Sequence, residues 1–511
     1  MDAVTDAAEP LHDLVDQARQ TRVVVIGGGI AGLVAAWELA KVGMTVTVVE
    51  ASARLGGKVA STSLGGREVE IGASCWSTRG GAVRRLVDEV LPDAAIVRPR
   101  DDSEWIAGLA RDAAAPLPVE QVLGIPANPW DERVRRIIGW GGTWRAYLDR
   151  LRPPLTIGTQ RSLGRLVRGR MGDKVRDRLV APLTVDRFGL LPEDVDVEVA
   201  APGLSTALTR TGWLGGAVAD LRVDAGGSAT EGLDGGMPLL VAALRERLVA
   251  RGADIRTGAR ATGLARADGA WTIEVDGGAD ADAATVRPAT GDDGAAEASD
   301  AGRLRADAVV VATDEAAARS LLGPVLEDPA FTAAEPAGIA REVVTLLVDA
   351  PELDGAPRGV HVHAVPGSSR ATGLVHETAR WEWLARGLGQ GRHLLRIAFG
   401  GPGVAPATAG VSDAEAVRLA ADEAYALLGV RLGEDRVVDA HRGVYTLVPP
   451  ASALGHRERT DEARAAIARA PGVAAVGAWL SGSGLAQVVA DAHDETDRLR
   501  RAVLWGGAGG R

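Results

Sequence analysis

Six residues, Gly27-Gly28-Gly29-Ile30-Ala31-Gly32, followed at a distance by the carboxylate Glu50, have the types and spacing to hold a dinucleotide. Gly27, Gly29 and Gly32 stand in GxGxxG register. The first permits a tight turn, the second lets backbone approach a pyrophosphate, and the third lets a helix pack closely on a strand. A helix opening at Ile30 and Ala31 would aim its free N–H groups at phosphate charge. Glu50 can accept hydrogen bonds from ribose hydroxyls, and it would repel a 2′-phosphate, which disfavours NADP. Directly after it run Ala51-Ser52-Ala53-Arg54-Leu55-Gly56-Gly57-Lys58. The cations Arg54 and Lys58 add charge-assisted contacts near a pyrophosphate, and the glycines let this loop follow an extended cofactor. A nicotinamide dehydrogenase does not need such a loop.

No second strand–GxGxxG–helix unit is legible. Gly387-Leu388-Gly389-Gln390-Gly391 lacks both the spacing and a flanking strand. The cofactor is therefore expected to be reduced by substrate and reoxidised by O2 or another acceptor. Other reactive groups are sparse. Cys75 is the single cysteine, so neither an intramolecular disulfide nor a multi-cysteine metal cluster can form. It reads as a small apolar residue lining a cleft. His361 and His363 alternate on an expected strand without a companion ligand motif, so they read as exposed strand histidines and no metal site is expected. No Ser–His–Asp or Cys–His grouping stands out.

The elements that must position these groups follow from periodicity. A β-branched run at 22–26, a helix at 30–42 stopped by Gly43, and an apolar strand at 45–50 make a βαβ opening. Residues 80–195 read as helical, broken at Pro92, Pro116, Pro126 and Pro153–Pro154. Texture returns to α/β from 232 to 315, with a helix at 237–251 and strands near 253–256, 259–266, 271–275 and 308–311. Within it, 277–306 is an Ala/Asp/Gly tract with too little apolar surface to fold, expected to be a flexible insertion. Alternating strands dominate 340–400. A last strand at 473–476 leads through glycines into a closing helix at 485–499.

Composition sets outer limits. The chain has 511 residues, more than one core normally serves, so two or more domains are expected. Its net charge of −11 argues against nucleic acid. Segment 131–187 runs the other way, with 14 Arg/Lys against 6 Asp/Glu. Such an excess is either a set of solvated helix faces or a surface meeting an acidic ligand or anionic membrane. Residues 1–20 read as flexible and lack the apolar core of a secretion signal, and no stretch is apolar enough to span a bilayer. The expected location is cytoplasmic, with peripheral contact at the inner membrane face left open.

The pairing of Gly27–Gly32 with Glu50–Lys58 resembles the two fingerprints of the flavin amine-oxidase superfamily, which implies FAD. The absence of a cysteine near the C-terminus implies that the flavin is held non-covalently. Further stretches, Glu70-Ile71-Gly72-Ala73, Thr78-Arg79-Gly80-Gly81, Gly124–Pro129, Gly235-Gly236-Met237, Gly455-His456-Arg457 and Gly477–Leu485, resemble the oxygen-dependent protoporphyrinogen and coproporphyrinogen oxidases, nearest to the actinobacterial coproporphyrinogen III type. The resemblance covers 21–500. It implies an α/β fold with a discontinuous Rossmann-like FAD domain (21–75, 228–320, 437–505). A helical module (80–195) that faces the membrane in relatives would join it, with an α+β substrate domain (196–227, 321–436). It also implies coproporphyrinogen III, a tetrapyrrole, as substrate, O2 as acceptor, H2O2 as product, and hand-over to a ferrochelatase. Cofactor contacts then extend to Gly72, Ala73, Ser74 and Cys75, to the backbone at Ala261, and to Gly484, Leu485 and Ala486. Substrate candidates are Arg79, Trp76 and His456. The chain departs from relatives at Ser74-Cys75-Trp76, Gly401, Pro450 and Ala486-Gln487. Alternatives are a protoporphyrinogen IX oxidase, an amine oxidase, a carotenoid desaturase, or a redox-inert binding protein of the same fold.

Overall fold

The computed structural model describes residues 9–110, 113–152, 160–223, 230–277, 302–332, 338–447 and 449–505. Its organising element is a five-stranded parallel sheet in the order Asp254–Thr257, Thr45–Glu50, Arg22–Ile26, Ala308–Val311, Val473–Ala475. Successive side chains of a strand point to opposite faces, and both faces are covered. Val23 and Val25 enter one core with the helices Ile30–Lys41, Pro238–Ala250 and Leu485–Trp505. Val24 and Ile26 enter another, beneath the antiparallel strands Arg260–Ala267, Ala270–Asp276 and Arg303–Ala306 and the helix His456–Arg469. Burial on both sides explains why these strands are unbroken apolar runs. Each fully buried Val or Leu contributes about 1.5–3 kcal/mol.

A seven-stranded sheet follows the order Val437–Leu447, Ile339–Asp349, Arg392–Phe399, Ala371–His376, His361–Ala364, Glu104–Leu109, Ala113–Pro116. It is antiparallel except where His361–Ala364 meets Glu104–Leu109. The helix Asp413–Leu428 shares its core on one side. A third unit of helices, among them Glu132–Tyr147, Leu163–Met171, Ala181–Phe188, Leu204–Thr211 and Leu214–Val223, has its own apolar centre. Buried Asp149 pins two of its parts, accepting from Arg170 at 3.2 Å and from the Leu214 N–H at 2.6 Å.

Four expectations are corrected. Residues 96–126 are not helical but hold five short strands, two of which complete the edge of the seven-stranded sheet. There, pairing partners from distant sequence override local pattern. The flexible reading of residues 1–20 does not hold throughout, because Glu9–Gln20 is a helix and Ala18 is buried in the first core. The tract at 277–306 ends in a real strand, Arg303–Ala306, that pairs with Ala270–Asp276, while 1–8 and 278–301 lie outside the described residues. The helices Leu204–Thr211 and Leu214–Val223 also join the helical core, beyond the boundary expected at 195.

Candidate functional site

Every strand of the parallel sheet delivers its carboxyl end to one cavity of about 360 Å³. Ile26 and Gly27 leave the first strand there, Glu50 and Ala51 the second, Ala259–Ala261 the edge strand, Ala312–Asp314 the fourth and Gly477–Trp479 the last. The cavity sits where the neighbouring strands Arg22–Ile26 and Ala308–Val311 send their connections in opposite directions, to Thr45–Glu50 and toward Val473–Ala475, the usual ligand crevice of open parallel sheets. Two helices begin on it, at Ile30 and at Leu485, each presenting the positive end of its dipole.

The two sequence motifs interlock. The Gly28 N–H donates to Glu50 Oε2 at 2.7 Å, and the Gly56 N–H donates to the Gly28 carbonyl at 2.8 Å. A methyl group on Gly28 would lie 2.4 Å from the Leu55 side chain, so this middle glycine is what lets the second loop close on the first. Gly32 is tighter still, because a Cβ there would meet the Gly27 carbonyl oxygen at 1.9 Å. Glu50 Oε1 accepts from the Ser52 N–H at 2.8 Å, and each carboxylate oxygen keeps a lone pair for another donor.

Of the expected contacts, Gly27, Gly29, Ile30, Ala31, Glu50, Ala51, Gly57, Lys58, Ala73, Ala261 and Leu485 border the cavity. Burial lowers the Lys58 ammonium from its ordinary pKa, with Asp314 opposing. Arg54 stands in an adjoining groove, donating to the Ser61 carbonyl at 3.3 Å. Gly484 is exposed and Ala486 packs back on the core. Ser74 lies outside the cavity wall, and Cys75 packs on the cluster around Trp381. Burial pushes the Cys75 thiol up, with Arg380 opposing, so it is not an activated nucleophile.

The residues that hold the Ile71–Ala73 turn were not legible. Arg396 donates to the carbonyls of Ile71 and Gly72 at 2.8 and 2.9 Å and pairs with Glu377 at 3.2 Å. Tyr445 donates to the Ile71 carbonyl at 3.0 Å. Beside them, burial pushes the Glu70 carboxyl up to about 7, the Met237 N–H opposing and Glu377 adding to the rise. Among the missed cavity residues, Thr313, Asp314 and Ser483 had one signal each: they follow a strand or precede the closing helix.

Two substrate candidates move. Trp76 is 2% exposed, paired through its strand to Thr230–Leu233 and packed in the first core, so it does not line an open cleft. His456 is 5% exposed. It opens the helix His456–Arg469, buried, with no hydrogen-bond partner for Nε2. Burial lowers its imidazole from the ordinary pKa, with Arg459 adding and Glu315 opposing. Arg79 is exposed ahead of the helix Ala82–Val90. The exposed-strand reading of His361 and His363 is overturned: His363 is fully buried and both rings bond to Asp186.

A parallel sheet with a glycine-turned helix, a carboxylate ending the second strand and a second glycine loop at its carboxyl edge defines a Rossmann-type FAD protein. The small side chains at Gly29, Ala259 and Ala261 leave the crevice open to an adenine dinucleotide, so the residues fit that group. Residues 30–495 match the family of flavin-containing amine oxidoreductases, and the chain belongs to it: it is an FAD-dependent oxidoreductase. It is similar to the coproporphyrinogen III oxidase of Bacillus subtilis (strain 168), with 24% identity over 91% of this chain and 94% of that one. With the coproporphyrinogen III oxidase of Mycobacterium bovis, identity is 27% over 90% and 93%. A solved structure from Exiguobacterium sp. 255-15, provisionally named protoporphyrinogen oxidase, superposes with a TM-score of 0.77 over 94% of this chain and 99% of that one. At 22% identity that likeness speaks to the fold alone.

Proposed function

We propose that this flavoenzyme oxidises coproporphyrinogen III to coproporphyrin III, with O2 as acceptor and H2O2 as product. The observation that carries the reading is the end-to-end match to relatives named for that oxidation. Bound FAD would supply the two-electron acceptor. Six electrons and six protons leave the macrocycle per porphyrin, so three O2 become three H2O2. This chain's residues bind and orient: Gly27–Gly32 and Glu50 hold the adenosine diphosphate end, while Arg396 and Tyr445 fix the turn at Ile71–Gly72. Arg79, exposed and without a side-chain partner among the described residues, offers a cation to a substrate propionate.

Anaerobic mixing with coproporphyrinogen should bleach the flavin, and aerobic turnover should release three H2O2 per porphyrin, faster than with protoporphyrinogen. Absence of bleaching would sink this reading, and faster turnover of protoporphyrinogen would transfer it to that substrate.

A peripheral membrane contact is part of the proposal. No helix among the described residues is long and apolar enough to cross a bilayer. Yet Trp140, Trp144, Leu148 and Leu151 are 63, 54, 45 and 76% exposed, at spacings that put them on one side of a helical segment. Arg135 lies 4.8 Å over the Trp140 ring, and Arg150 lies 4.0 Å over Trp213. Interfacial tryptophans with a basic surround suit an anionic bilayer face, and this patch holds two of the chain's 12 tryptophans, against 3 Phe and 3 Tyr. Trp140→Ser/Trp144→Ser should lower sedimentation with phosphatidylserine-containing vesicles at least ~10-fold, since about 1.4 kcal/mol of lost burial suffices. Equal sedimentation of parent and variant would refute the contact.

A further inference from the structure

Away from the flavin crevice, the seven-stranded sheet and the helical unit meet at a buried group of nitrogen and oxygen ligands. His361 and His363 are two positions apart on one strand and so share a face. The neighbouring strand runs parallel, with His361 directly opposite Glu104. Backbone pairing alone therefore assembles two imidazoles and a carboxylate. One ligand atom from each lies within 4.8 Å of the others.

The surroundings orient these groups as ligands rather than spend them on one another. Asp186, from the helix Ala181–Phe188, accepts from His361 Nε2 at 2.7 Å and from His363 Nδ1 at 2.8 Å. Arg341 anchors that carboxylate at 2.6 Å. With Nδ1 so engaged, His363 turns Nε2 toward Glu104 Oε2, 3.6 Å away. Both atoms are buried and neither has a hydrogen-bond partner. Arg187 takes the other oxygen of Glu104. Room for Asp186 comes from Gly373, paired with His363 across the sheet: a Cβ there would lie 2.5 Å from the carboxylate.

We propose that Glu104, His361 and His363 bind one divalent metal ion of the zinc class, with Asp186 as the carboxylate that orients both imidazoles. Two nitrogens and one carboxylate oxygen make a donor set that Zn²⁺ accepts, at metal–ligand distances of about 2.0–2.2 Å. Ligand atoms of a tetrahedral ion are then ~3.3 Å apart, close to the 3.6 Å already present between His363 and Glu104. A carboxylate bonded to the far nitrogen of a metal-binding histidine fixes its tautomer and raises its basicity. The competing occupant is a proton on His363, which would satisfy the same two atoms and bind no metal. Bound metal would cross-link the strands Glu104–Leu109 and His361–Ala364.

The flavin-loaded full chain, stripped with chelator, is titrated with Zn²⁺ and Co²⁺ and its metal content measured by elemental mass spectrometry. One ion per chain is expected, with Co²⁺ ligand-field bands to the red of the flavin and a rise in melting temperature on adding Zn²⁺. Glu104→Gln and His361→Ala should abolish these signals, and Asp186→Asn should weaken affinity about 10–100-fold. The partly exposed ring of His361 makes its variant the safer one to fold, with retained flavin absorption reporting that it has. A parent chain that takes up no stoichiometric metal, or a folded His361→Ala chain that binds it unchanged, would overturn the assignment.

Discussion

Gly29→Val is expected to fold like the parent and to purify without colour. Gly29 has φ −70° and ψ 174°, an extended conformation open to any residue. A Cβ built on it meets nothing closer than the Gly57 Cα at 4.0 Å. Within the protein, then, a side chain at this position costs little. It would project into the crevice between the opening helix and the second glycine loop, the proposed seat of the FAD pyrophosphate. Misfit of that kind costs ~1–3 kcal/mol or more, and each 1.4 kcal/mol is about tenfold in affinity. A loss of ~100-fold in FAD binding at nearly unchanged melting temperature of the stripped protein is the expected outcome. Gly32→Val supplies the contrast, since its Cβ would strike the Gly27 carbonyl and the fold itself should suffer. If Gly29→Val retains flavin as the parent does, the crevice is not where the pyrophosphate sits.

Glu70→Gln is expected to stabilise the protein at pH 8 and to leave it nearly unchanged at pH 5. Glu70 Oε1 accepts from the Met237 N–H at 2.5 Å in a buried setting. Burial pushes its carboxyl up to about 7 from an ordinary 4.5. The folded chain therefore holds this proton more tightly than the unfolded chain does. Stability falls as pH rises from about 4.5 through 7, by up to about 3 kcal/mol from this group alone. Glutamine keeps the acceptor for Met237 and removes the charge. Melting curves of parent and variant at the two pH values check this, and equal destabilisation at both would show that the carboxylate is held ionised.

What the sequence disclosed was the part of the site that is local. Gly27–Gly32 and Glu50–Lys58 belong to one βαβ unit, where periodicity and glycine spacing report the geometry directly. Ala261 and Leu485 were reached only through family resemblance, because nothing local marks them. Asp314 escaped because a distant strand carries it to the crevice, and parallel pairing leaves no short-range signature; Arg396 escaped because it reaches the Ile71–Gly72 turn from the separate antiparallel sheet. Trp76 and His456 read as cleft residues, yet a short strand pairing with Thr230–Leu233 buries the one and a helix start buries the other. His361 and His363 illustrate the same limit. Their alternation was plain, but Glu104 and Asp186 come from far upstream, and without them the pair read as solvent-facing.

The central claim, that Gly27–Gly32 and Glu50–Lys58 hold FAD without a covalent bond, is tested most directly by the visible spectrum of the purified chain before and after denaturation. One FAD per chain, released completely into the supernatant, is the predicted result. A colourless chain that takes up no FAD from solution, or a flavin that stays with the precipitated protein, would contradict it.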